Sequence, residues 1–197
     1  MPATDSQSSV LDANENRNEL ISNKDSMPPD VVTVTLPTRE ASPQDWLEDV
    51  TEMSGLHFTY QTGIESRQYA MVEELGGGVA LFDFDRDGDM DVYITGGGEI
   101  APGQIPRGRP GALFRNEGDL RFTNVTAAVG LDQPGDYSHG VTVGDYDRDG
   151  WPDLFVTAYG RSRLYRNLDG QSFVDQTAAA DLDIEGWYTS SVFLDFD

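Results

Sequence analysis

Cysteine is absent from this 197-residue chain, and histidine occurs only twice. The first absence excludes disulfides, thiolate zinc sites, iron–sulfur ligation and thiol nucleophiles together. Positive charge is scarce: 13 Lys and Arg stand against 35 Asp and Glu, a net charge of −22. The ten arginines after residue 40 are scattered. No basic footprint for a phosphate backbone results, which excludes nucleic acid as a partner. No run approaches the ~20 apolar residues that carry a helix across a bilayer, so no membrane insertion is expected. The opening text, MPATDSQSSVLDANENRNEL, has neither a basic nor an apolar segment, and no signal peptide is visible in it.

Residues 1–40 are acidic and polar, with little to bury, and are expected to be a disordered N-terminal segment. Their one β-prone run, Val31–Leu36, offers a strand to a sheet edge. Ser42-Pro43-Gln44-Asp45 reads as a short helix start, with Ser42 as the cap and Pro43 in the first turn. From Trp46 onward the pattern changes. Short apolar runs such as VALFDF, DVYITG, ALFRNE, GVTVGDY, DLFVTAY and RLYRNL alternate with Gly, Asp and Asn, and none keeps a helical period. The chain reads as all-β.

Three elements recur in fixed order. An apolar strand enters an Asp-rich loop and leaves on a second strand at GVALFDFDRDGDMDVYITG, at GVTVGDYDRDGWPDLFVTA, and in abbreviated form at SSVFLDFD. LFRN and LYRN lie 51 positions apart, and so do RFTNVTAAVGLD and SFVDQTAAADLD. WLEDVTEMSGL is a weaker copy of the last element. The loops start at Asp83, Asp145 and Asp195. The longer first spacing is an 11-residue insertion in GGGEIAPGQIPRGRP, which lacks strand character. A period of about 50 residues with four strands per unit marks a β-propeller blade. The expected layout from residue 45 to 197 is an outer strand at 46–56, blades at 75–127 and 137–178, and the start of another at 187–197. Within the first blade, strands are expected at Val79–Phe82, Val92–Thr95, Ala112–Arg115 and Phe122–Thr126, forming a four-stranded antiparallel sheet.

The loops Asp83-Phe-Asp85-Arg-Asp87-Gly88-Asp89-Met-Asp91 and Asp145-Tyr-Asp147-Arg-Asp149-Gly150-Trp151-Pro-Asp153 both fit D-x-D-x-D-G-x-x-D. Carboxylates at positions one, three, five and nine converge on a hard cation, with glycine at six for the sharp turn. Position seven, Asp89 or Trp151, supplies a backbone carbonyl. Oxygen-only ligation suits Ca²⁺ at about two complete sites, with Asp195 and Asp197 beginning a third. Solvated turns are the alternative, and the repetition weighs against it. An EF-hand needs a carboxylate at position twelve, where Ile94 and Val156 stand, and helices on both sides.

These units resemble FG-GAP/VCBS repeats of the integrin-α-type propeller, closest to the cartilage-acidic-protein-like group associated with ASPIC/UnbV domains. The resemblance covers about Asp45–Asp197. It implies a seven-bladed propeller on exported or cell-surface proteins, hence an extracellular, periplasmic or cell-surface setting. It also implies calcium held by Asp83, Asp85, Asp87, Asp91, Asp145, Asp147, Asp149 and Asp153, with the carbonyls of Asp89 and Trp151. No ASPIC/UnbV segment is present and the text stops inside its third metal loop, so the chain reads as a fragment of a longer product.

Other candidates are weaker. His57 is expected near the end of an outer strand. His139 follows Ser138, but adjacent strand residues point apart and no acid orients the ring, so catalysis there is not expected. Glu73 and Glu74 suit an exposed turn better than a channel lining. Gly76-Gly77-Gly78 is no phosphate loop, since no Lys follows. Trp151 lies in an acidic turn and is expected to be partly exposed. The reading is a non-enzymatic, calcium-binding propeller module that contacts a protein, glycan or extracellular matrix partner and is able to self-associate through open blade edges. The alternatives are the propeller part of a carbohydrate-acting lyase or hydrolase, or a structural scaffold.

Overall fold

The computed structural model describes residues 49–67 and 70–195. The tail, the Val31–Leu36 run, the helix start at Ser42–Asp45, Trp46 and Asp197 lie outside the described residues.

The chain is all-β, built from antiparallel blades of the β-propeller type. In the first repeat β1 (Val79–Phe82) and β2 (Asp91–Ile94) join across the first acidic turn. Two short strands follow, β3 (Gly98–Glu99) and β4 (Arg107–Gly108), before β5 (Ala112–Asn116) and β6 (Phe122–Asn124) complete a sheet in the order β1-β2-β5-β6. The second repeat runs β7 (Tyr137–Gly144), β8 (Asp153–Arg161), β9 (Arg163–Leu168) and β10 (Ser172–Asp175), each strand paired to the next. Its long β8 extends past β9, and β11 (Glu185–Trp187) pairs with that extension.

Alternation explains which residues point inward. Along β1, Ala80 and Phe82 are buried while Val79 and Leu81 are exposed, the two-residue period of a pleated strand. Buried side chains from both repeats merge into one cluster. Ala80, Phe82, Tyr93 and Leu113 come from the first sheet, and Leu154, Val156 and Phe173 from the second. Each large apolar side chain so buried stabilises the fold by about 1.5–3 kcal/mol, so neither sheet is expected to stand without its neighbour. The contact is also hydrogen-bonded. The Thr95 hydroxyl donates to the His139 carbonyl at 3.0 Å, and the Asn167 amide donates to the Phe84 carbonyl at 2.8 Å.

Three local expectations differ from the structure. The insertion is not strandless, since Gly98 and Glu99 pair with Gly108 and Arg107. Backbone pairing needs no apolar pattern, and here glycine permits the approach: a Cβ on Gly108 would lie 2.0 Å from the Asp136 carbonyl. Residues 49–56 form no strand. Thr51–Ser54 is instead a single helical turn, α1, closed by Gly55 in the left-handed region. The Asp49 carboxylate accepts the Thr51 N–H at 3.0 Å, the turn that Asn124 makes with Thr126 and Asp175 with Thr177. Residues 49–55 therefore copy the turn of the repeat element. His57 accordingly stands exposed on an irregular segment. Finally, no strand forms over residues 188–195. In this blade pattern an inner strand is held by the strand beyond its own acidic turn.

Candidate metal centre and its repeat

Both acidic turns are folded by the same contacts. The Asp83 carboxylate accepts the N–H groups of Asp87 and Gly88 at 3.1 and 3.0 Å, and Asp145 accepts those of Asp149 and Gly150 at 3.1 and 2.8 Å. Position six must be glycine-like: Gly88 and Gly150 have φ of 97° and 94°. Position four is also left-handed, with Arg86 and Arg148 at φ 60° and 61°. An arginine held there costs conformational energy that the bonds to the position-one carboxylate offset.

The ninth position behaves differently from the others. Asp91 and Asp153 are fully buried. Asp91 accepts the Phe84 and Asn116 N–H groups, each at 2.9 Å, and Asp153 accepts those of Tyr146 and Asn167 at 3.1 and 2.8 Å. Each carboxylate thereby pins its turn to the third strand of its blade. Burial pushes both carboxyls up to about 6, outweighing the N–H donors that favour the charged form.

Asp83, Asp85 and Asp91 offer carboxylate oxygens that all lie within 4.8 Å of one another, and so do Asp145, Asp147 and Asp149. Asp87 and Asp89 do not join the first group, nor Asp153 the second. Asp195 makes a 3.7 Å ion pair with Arg148. Three carboxylate oxygens and no nitrogen or sulfur at either cluster form a donor set for a hard divalent cation, so the residues present fit such an ion. Burial and the neighbouring Asp87 and Asp83 raise the Asp85 carboxyl above its ordinary range, as expected of crowded like charges. Asp149 is held below its ordinary range, by the Trp151 N–H first and then by Arg166.

The sequence reading missed the residues that support the turns. Asn116 and Asn167 each donate from the side-chain amide to the carbonyl before position nine, at 3.2 Å to Met90 and to Pro152. Their oxygens accept the Gly118 and Gly170 N–H groups. The signal was present in the LFRN and LYRN copies, whose polar residues look like strand punctuation until the turn is seen beside them. Trp151 is half-buried, with the Arg86 guanidinium 4.6 Å above its ring. Glu73 is buried rather than exposed, because its carboxylate accepts the Ala70 N–H at 2.7 Å, while Glu74 is exposed. His139 is buried, and its Nε2 accepts the Trp187 indole N–H at 3.2 Å. The Ser138 hydroxyl accepts the Gly97 N–H at 2.9 Å.

Two antiparallel blades, each carrying an acidic turn between its first and second strands, define a tandem-repeat protein of the propeller class. Residues 83–156 and 145–197 match the FG-GAP-like repeat, and the chain belongs to that family. It is similar to Cartilage acidic protein 1 of Homo sapiens, 32% identical over 102 residues, which are 46% of this chain and 15% of that protein. It is also similar to Cartilage acidic protein 1 of Mus musculus, 33% identical over 66 residues, covering 33% of this chain and 10% of that protein. The chain thus spans a small part of the length of these relatives.

Proposed function

We propose that the chain is a calcium-binding propeller module that serves contact with a protein, glycan or matrix partner and is not itself catalytic. The observation that carries this reading is the repetition of a three-carboxylate cluster at the same turn of two successive blades. Asp83, Asp85 and Asp91 hold one ion, and Asp145, Asp147 and Asp149 the other. Asp87 and Asp153 complete the shells with the carbonyls of Asp89 and Trp151, and Asp195 and Asp197 belong to a third loop. The likeness to Cartilage acidic protein 1 favours an extracellular setting. Ser138 and His139 both spend their hydrogen-bonding atoms on structural partners, which supports a non-enzymatic role. Exposed Val79, Leu81, Val192 and Leu194 supply apolar surface for self-association.

Binding to the folded turns, and hardly to the unfolded chain, stabilises by mass action. Thermal melting in excess calcium should therefore shift upward by several degrees relative to chelator, with a much smaller shift in magnesium, which resists partial dehydration. Identical melting curves in calcium and in chelator would overturn the reading.

A further inference from the structure

The two acidic turns are alike in backbone and unlike in charge. Arg166, on β9, lays its guanidinium against the second turn. Its Nη2 donates to Asp149 at 2.8 Å, and its Nε lies 2.6 Å from Asp147 Oδ2 as an ion-pair contact. Asp147 and Asp149 are two of the three carboxylates of that cluster. Arg115 holds the equivalent place on β5, but both its Nε and Nη2 donate to Glu117, at 3.0 and 2.7 Å. The second repeat has Leu168 where the first has Glu117, so Arg166 has no such competitor. A second cation adds to the difference: Arg86 stacks on Trp151, within the second turn.

We propose that Arg166 is a built-in counter-ion of the second acidic turn, making it the weaker of the two calcium sites, while Glu117 keeps Arg115 off the first. The inference rests on the calcium reading and specifies how the chain grades its two sites. A guanidinium hydrogen-bonded to Asp149 and ion-paired with Asp147 competes with the ion for these carboxylates and lowers the field it would feel. In the first turn the same lone pairs are left to the cation. The arrangement also accounts for Asp149 joining its cluster while Asp87, its counterpart, does not join the first.

The test is calorimetric titration of calcium into the metal-free full chain, beside Arg166→Met and Glu117→Leu. The same titration of Asp145→Ala, which removes a carboxylate of the second cluster only, identifies the second site. The wild type should show two affinities separated by about tenfold or more, the order expected of one charge-assisted hydrogen bond beside an ion pair. Arg166→Met should tighten the weaker site, the one lost in Asp145→Ala, by about tenfold and leave the other unchanged. It should also lower the melting temperature in chelator more than in calcium, because only the metal-free turn needs the counter-ion. Glu117→Leu should release Arg115 and weaken the tighter site, so a misfolded Arg166 variant would still leave the proposal exposed to failure. Two calcium sites that respond to neither substitution, or an Arg166 variant that binds calcium more weakly, would overturn the inference alone. Absence of calcium binding in every protein would overturn the calcium reading and this inference together.

Discussion

Asp83 and Asp91 open and close the same nine-residue turn, yet one is half-buried and the other wholly buried. The difference has a consequence for pH. Asp91 and Asp153 bind their protons at about 6 in the fold, against 3.8 for an ordinary aspartate. A raised value means that the folded chain holds more protons than the unfolded one between these limits. Stability from these groups is thus full below about pH 4 and lost as pH rises through about 6. Carboxyls held low, such as Asp149 and Asp175, titrate below that window and do not offset it. In chelator the melting temperature should fall by several degrees between about pH 4.5 and 7. On the proposed reading calcium binds the ionised carboxylates, so its addition should flatten or reverse that slope. A chelated protein whose melting temperature climbs over this range would contradict the account of the ninth position. The D-x-D-x-D-G-x-x-D spacing was enough to find these residues in the sequence. That position nine anchors a third strand was not legible, because its partners, the Asn116 and Asn167 N–H groups, are set by tertiary contact.

At the level of the element, strand and turn chemistry carried most of the information. β1, β2, β5 and β6 fall within a residue or two of the expected spans, since alternation and Gly/Asp punctuation act locally. The β3–β4 pair and α1 escaped for the converse reason. One is held by backbone pairing with no apolar pattern, and the other by an Asx turn in a copy of the repeat. Asn167 shows how elements of different blades are tied. Its amide bridges the Pro152 carbonyl of its own repeat and the Phe84 carbonyl of the neighbouring one, while Asn116 donates only to Met90. Asn167→Ala should cost about 2–4 kcal/mol in denaturant unfolding, and Asn116→Ala about half that, because the former strands an additional buried carbonyl. Equal losses would show that the cross-blade bond contributes nothing.

On the scale of the whole chain, two repeats share one buried cluster and carry one acidic turn each, and their family is that of FG-GAP-like repeats. A net charge of −22 is concentrated in part at those turns, so the fold gathers the like charges that oppose it. A divalent cation at each turn, as proposed, would resolve that conflict. The most direct measurement is equilibrium dialysis of the metal-free full chain against excess calcium, followed by elemental analysis, for the wild type, Asp83→Ala and Asp145→Ala. Two calcium ions per chain are expected, falling by one in each variant. A wild-type chain that retains no calcium, or a stoichiometry that neither substitution changes, would contradict the assignment of the acidic turns as calcium sites.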